Sequence, residues 1–385
     1  MTQPTVFRNA RIVLPDAVVH GSLAVSAGRI ADAGAGDRAV PGAIDLEGDY
    51  LLPGLVELHT DNLERHLMPR PKVQWPGLPA LLAHDAEIAA AGITTVFDAL
   101  GIGSTDPEEL RAHSWAGLLA LLDAARAGGV LRADHRIHVR CELPAPNAVE
   151  LFAPLRGHPL VGLLSLMDHT PGQRQWEKLE KAREYYTGKK GWSQEKFARQ
   201  VAAGPSFQVR HAEPNRRHFV DYCRAHGIAM ASHDDTTAAH VDQASEEGVR
   251  IAEFPTTLEA ARRARERGLL TVMGAPNMVR GGSHSGNVAA VELARHGLLD
   301  ILSSDYVPNG LLGAVVRLVD DASIPLPQAV AMASRNPAQA AGLADRGAIE
   351  AGRQADLVHV RFLEIPGQRR HPVVRGVWRQ GLRII

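Results

Sequence analysis

Eight short, mostly apolar runs recur through the middle of the chain, and nearly every one stops on a side chain that can bind a metal or move a proton. They are LLPGLVELH (51–59), ITTVFDAL (93–100), RIHVRCEL (136–143), LVGLLSLMDH (160–169), GIAMASHD (227–234), VRIAEFP (249–255), LLTVMGAPN (269–277) and LDILSSDY (299–306). Near-continuous apolarity over so few residues is the mark of parallel strands covered on both faces. The spacers between them carry helical patterns, such as PGLPALLAHDAEIAAAG, which starts beside a proline and stops on Gly92. Eight strands alternating with helices predict an α/β fold, a (β/α)8 TIM-type barrel. An open doubly wound sheet shares this periodicity and stays as the alternative.

The flanks read differently. Residues 1–50 and 347–385 alternate apolar and polar positions and are punctuated by Gly, Asp and Pro, as short antiparallel strands are. The expectation is that both ends meet in one small composite β-sandwich domain, against the alternative of two separate appendages. The barrel then spans 51–346, with a charged helical insertion near 173–219 between its fourth and fifth strands, as a lid, a partner surface or an ordinary solvated helical pair. A chain of 385 residues suits one large barrel plus a small accessory unit.

Charge narrows the partners. Acidic residues number 43 and basic ones 42, so no global field points to nucleic acid or a membrane surface, and an anionic ligand must be met by locally placed Arg and Lys. Cys141 and Cys223 are too few for a disulfide framework, and the polar opening lacks the pattern of a secretion signal. No apolar run approaches the roughly 20 residues that span a bilayer. A cytoplasmic protein is expected, with a homodimer as the commonest assembly.

In a barrel of this kind the chemistry sits at the C-terminal ends of the strands. Those ends supply His59-Thr60-Asp61, Asp98, Glu142, Asp168-His169, His233-Asp234-Asp235, Glu253, Asn277 and Asp305. Alternation puts His59 and Asp61 on one face of their strand, able to grip one cation. Imidazole and carboxylate together suit one or two divalent ions, zinc by default, with Mn, Fe or Ni also accommodated. Glu142 reads as a bridging ligand, with His169 and His233 completing a second ion. Asp305, opposite an ion-activated water, can take its proton as well as touch the ion. Asp98, Asp234, Asp235 and Glu253 read at least as readily as caps or satisfied core residues.

The phrase LLPGLVELHTD resembles the first-strand signature of the amidohydrolase superfamily, and GAIEAGRQADLVHV resembles its return into the terminal β domain. The resemblance implies a metal-bearing barrel and an Asp on strand eight that handles the proton, which matches Asp305. Two departures stand out. Asp61 replaces a usual second His, and strand six ends in Glu253 where a His is common. No Lys ends a strand, so Glu142 is the better bridge.

A more specific resemblance lies in HTDNLERHLMPRPKVQWP, SLMDHTPGQRQ, ASHDDTT, AEFPTT and GAPNMVRGGSHSGN, which are similar to characteristic blocks of the PhnM family. That implies hydrolysis of alpha-D-ribose 1-methylphosphonate 5-triphosphate to the 5-phosphate and pyrophosphate, in phosphonate breakdown beside the carbon–phosphorus lyase proteins. Arg70, Lys72, Arg174 and Arg280 then supply positive charge for a triphosphate, Arg as a fork and Lys as a point charge. Asn277, Gly282, Ser283 and Ser285 add donors, the glycines letting backbone N–H groups converge on an anion. His284 either donates a proton or binds phosphate. Two rivals remain: a C–N hydrolase acting on a cyclic amide or an acetyl group, since the same site activates water against carbonyl carbon, and a non-catalytic scaffold barrel.

Overall fold

The computed structural model describes residues 5–385 except 39, 71–72, 107–108, 110–112, 190 and 284–285. Strands β1 (Thr5–Val13), β2 (Val18–Ser26), β3 (Arg29–Ala35), β4 (Ile44–Asp45) and β5 (Tyr50–Pro53) open the chain. The barrel strands follow as β6 (Leu55–Thr60), β7 (Ile93–Ile102), β8 (Asp134–Glu142), β9 (Val161–Met167), β10 (Ala229–His233), β11 (Ile251–Glu253), β12 (Leu270–Gly274) and β13 (Ile301–Ser303). The chain closes with β14 (Leu357–Leu363), β15 (His371–Arg379) and β16 (Leu382–Arg383).

Each of the eight apolar runs holds one barrel strand, and they pair in chain order, all parallel, from β6 to β13. The ring closes where Thr60 bridges Asp305: Asp61 N donates to Asp305 O at 2.9 Å and Asp305 N donates to His59 O at 3.2 Å. This excludes the open sheet. The run ITTVFDAL does not end at Asp98, because β7 continues to Ile102 and Asp98 lies inside it.

The two ends of the chain share one sheet, in the order β16-β15-β14-β5-β1-β2-β3, with β4 beside β1. Their junction is β14 against β5, where Leu357 faces Pro53 and Val360 faces Tyr50. Phe7 and Trp378, from opposite ends, meet edge to face at 4.9 Å in a core with Ile12, Leu23 and Leu51.

Inside the barrel, period-2 alternation stacks layers. Phe97, Leu163, Ala231, Ile251, Val272 and Ile301 form an apolar floor. Two residues further along, the same strands present Ala99, Ser165, His233, Glu253, Gly274 and Ser303, so the polar mouth rests on a dry plug. Outward-facing Val139, Leu164 and Leu100 pack against helical Leu81, Leu122 and Phe219.

Between β9 and β10 the chain is helical, with Gln194–Phe207 running through a wider turn at Gln208–Ala212 into Glu213–His226. This segment carries its own small aromatic core of Trp176, Phe197, Tyr185, Tyr186 and Trp192. A cleft between it and the barrel mouth is lined by Asp106, Glu142, His169, Thr170, Trp192 and Phe207.

Candidate metal centre

Three histidines converge at the mouth, each with one ring nitrogen held by a carboxylate and the other turned forward. Glu253 is fully buried and reaches two of them. Its Oε1 lies 3.1 Å from His59 Nδ1, and its Oε2 lies 3.2 Å from His233 Nδ1. Glu142 does the same for His169, meeting Nδ1 at 2.6 Å while accepting the His169 backbone N–H at 2.9 Å. A carboxylate on Nδ1 fixes ring orientation and tautomer and leaves Nε2 as the basic nitrogen, which is how metal-binding imidazoles are prepared.

The forward nitrogens face two aspartates. His233 Nε2 and His169 Nε2 lie 3.4 and 3.6 Å from Asp234 Oδ2, an oxygen that is buried and has no hydrogen-bond donor. His59 Nε2 lies 3.9 Å from Asp61 Oδ1. A buried carboxylate oxygen without a donor is costly unless something cationic satisfies it. Two imidazole nitrogens and one such oxygen form a mixed donor set that fits a divalent ion.

Backbone strain marks the same place. Asp234 (φ 55°), Phe254 (φ 53°), Asp305 (φ 55°) and Arg174 (φ 48°) all sit in the left-handed region around the mouth. For side chains that disfavour it, such a conformation costs of order 1–3 kcal/mol and persists where the surroundings demand it. Arg174 shows the demand: its buried guanidinium donates to His233 O at 3.0 Å and Asp235 Oδ1 at 2.8 Å, clamping the turn that presents Asp234.

The electrostatics follow burial and pairing. Burial alone would push His169 down, but the Glu142 carboxylate and Asp234 outweigh it and hold the imidazole up at about 9. Burial dominates at His233, which is lowered, Asp234 and Glu253 opposing it. Burial would raise Glu253, yet His59, His138 and the His233 contact hold it well below the usual carboxylate range. His138 beside them is pushed down to about 3 by burial. Both its nitrogens are engaged, Nδ1 donating to Leu58 O at 2.9 Å and Nε2 meeting Ser165 Oγ at 2.9 Å. It is a neutral strut under His59 rather than a ligand. Deeper still, burial raises Glu57 to about 7 despite donors from His59, Ser303 and Ser304.

The expected site residues divide accordingly. His59, His169 and His233 meet at the mouth, with Asp61 and Asp305 beside them. Asp305 reaches the site through the ring closure, its Oδ2 next to Gly274, where a Cβ would lie 3.5 Å away. Glu142, expected to bridge two ions, places one oxygen on the His169 backbone N–H and the other on its Nδ1. Asn277 donates to Val288 O at 3.2 Å and accepts from Ala290 N at 2.9 Å, so it shapes a loop. Gly281 and Gly282 turn their N–H groups back to Met278 O and Asn277 O at 3.3 and 2.9 Å. They end a helix, and those N–H groups do not converge on an anion as expected, because the last carbonyls of a helix need donors. Arg70 and Arg280 are exposed on the rim, and Ser283 is half-buried. Lys72, His284 and Ser285 lie outside the described residues.

Glu253 and Asp234 are underweighted from sequence, and Arg140 and His138 are not singled out there. A usable signal exists for the last two: they precede Glu142 by two and four positions on β8, so alternation turns all three inward.

A second His and carboxylate cluster lies outside the barrel wall. Asp98 on β7 meets His84 Nε2 at 2.7 Å and His135 Nδ1 at 2.7 Å, and Asp85 meets His135 Nε2 at 3.3 Å. His84 Nδ1 continues to Asn62 at 3.0 Å. These are saturated hydrogen-bond distances among fully buried groups, which accounts for this cluster without an ion.

The amidohydrolase family model matches residues 50–381. The chain belongs to the amidohydrolase family. A relative from Escherichia coli (strain K12), alpha-D-ribose 1-methylphosphonate 5-triphosphate diphosphatase, is 48% identical over 98% of this chain and 100% of its own length. Adenine deaminase from Nitratidesulfovibrio vulgaris (strain DP4) is 27% identical, over 92% of this chain and 54% of that protein. Among solved structures, dihydropyrimidinase from Brevibacillus agri NCHU1002 shares the amidohydrolase fold at 13% identity with a TM-score of 0.62, covering 100% of this chain and 95% of that one. A Xaa-Pro dipeptidase aligns with a TM-score of 0.64 at 17% identity, over 99% of both chains. Among the described residues no helix is long and apolar enough to cross a membrane.

Proposed function

We propose that this protein hydrolyses alpha-D-ribose 1-methylphosphonate 5-triphosphate to the 5-phosphate and pyrophosphate. The observation that carries the reading is the 48% identity to the Escherichia coli diphosphatase along the whole of both chains. The mouth chemistry supports it. His169, His233 and Asp234 would hold one divalent ion, which supplies Lewis acidity by lowering the pKa of water and offsetting phosphoryl charge.

The chain's own groups do the rest. Glu142 and Glu253 keep the imidazoles aimed, and Arg174 keeps Asp234 in its left-handed turn. Asp305 takes the proton of the water that attacks the phosphorus nearest the ribose, and the phosphoanhydride oxygen leaves with the pyrophosphate. The exposed guanidinium groups of Arg70 and Arg280 on the rim meet phosphate oxygens as the substrate enters.

The test is an assay of pyrophosphate release from the ribose 5-triphosphate ester, run beside adenine and a panel of cyclic amides. Pyrophosphate formation with no ammonia or ring opening is the expected outcome. Turnover of adenine or an amide without pyrophosphate would replace this reading with a C–N hydrolase.

A further inference from the structure

The mouth has two halves, and their carboxylates differ in one respect. On the β10 side, Asp234 Oδ2 faces the two forward nitrogens of His169 and His233 and accepts no hydrogen bond. On the β6 side, Asp61 Oδ1 faces His59 Nε2, and that same oxygen receives a short ion pair from Arg140 Nη1. Arg140 comes from β8, two positions before Glu142, so strand alternation carries its side chain inward, where it is 15% exposed.

A guanidinium stays protonated at any pH the fold survives, and its planar fork suits a carboxylate. A divalent ion bound by His59 Nε2 and the Asp61 Oδ1 that faces it would share that oxygen with the guanidinium and sit beside its charge, where like charges repel. We infer that Arg140 fills the position of a second cation: the protein holds a single divalent ion, at His169, His233 and Asp234, and the Arg140–Asp61 pair completes the other half of the mouth. A fixed monovalent charge there keeps an attraction for anions that no chelator can remove. The inference concerns ion count and stands whichever substrate is turned over.

The experiment loads the full-length protein with Mn(II) and reads bound ion per chain by elemental analysis, with electron paramagnetic resonance for coupling between ions. The expected result is one ion per chain with an uncoupled spectrum. Arg140→Met, which removes the charge and keeps much of the volume, should take up a second ion and show an exchange-coupled signal. Arg140→Lys should stay at one. Two coupled ions in the unaltered protein, or a single ion in a folded Arg140→Met variant, would overturn the inference. Asp61→Asn guards against a variant that fails to fold. It should retain one ion with affinity changed less than about threefold, and a loss of bound ion on that substitution would equally overturn the proposal.

Discussion

The two His and carboxylate clusters of this barrel use the same residue types on opposite sides of the wall. Outside it, Asp98 gives one oxygen to His84 and the other to His135, each at 2.7 Å. Inside it, Asp234 turns one buried oxygen toward two imidazoles at 3.4 and 3.6 Å and has no donor for it. Composition cannot separate the two; hydrogen-bond saturation does. The saturated cluster is structural cement between β7, β8 and the helix Gly77–Ala90, and the unsaturated one is poised for a ligand.

The sharpest way to break this contrast is to neutralise Asp234. Asp234→Asn tolerates the left-handed backbone yet removes the charge, and it should abolish ion retention and lower turnover by on the order of a thousandfold, read by elemental analysis and initial rates. Its melting temperature should move little. If ion content survives, Asp234 is not a ligand and the contrast fails.

Asp98→Ala should do the opposite. It strands His84 and His135 without their acceptor and should cost about 3–5 kcal/mol of stability by denaturant titration while leaving the ion in place. The pH dependence sharpens this. Burial would lower His135, but Asp98 and Asp85 hold it up at about 9, whereas the same two histidines outweigh burial and hold Asp98 well below its ordinary value. A raised imidazole contributes stability that is complete below about 6.5 and lost as pH rises through about 9. A lowered carboxylate contributes stability that is lost on acidification. Unfolding measured at pH 7 and 9 should therefore show a drop in the unaltered protein that flattens in Asp98→Ala.

Glu253→Gln tests orientation inside the mouth. The amide can no longer accept from both His59 and His233, so ion affinity should weaken about 10- to 100-fold, measured by competition with a chelator. The smallest effect belongs to Arg65→Ala at the solvent end of the outer cluster. Its pair with Glu87 is exposed at 55% and 31%, and removing it should cost less than about 1 kcal/mol with no change in activity.

Much of the architecture is legible in the sequence. Apolar runs of strand length identify all eight barrel strands, since parallel strands buried on both faces need such runs. His59, His169, His233 and Asp305 stand out because polar residues ending those runs lie at the catalytic face. The run ITTVFDAL suggests a strand end at Asp98, but ALGI carries β7 on to Ile102 and alternation turns Asp98 outward. Glu253 is inconspicuous in the sequence because its two partners, His59 and His233, lie 194 and 20 residues away.

The sequence by itself determined the alternation of strands and helices, the meeting of both chain ends in one sheet and the imidazoles at the mouth, because these follow from periodicity and strand position. Only the tertiary structure decided which carboxylate orients each imidazole, which oxygen is left without a donor and that Arg140 holds Asp61. Those depend on distances between side chains from different strands, which strand twist and ring closure set and local sequence does not encode.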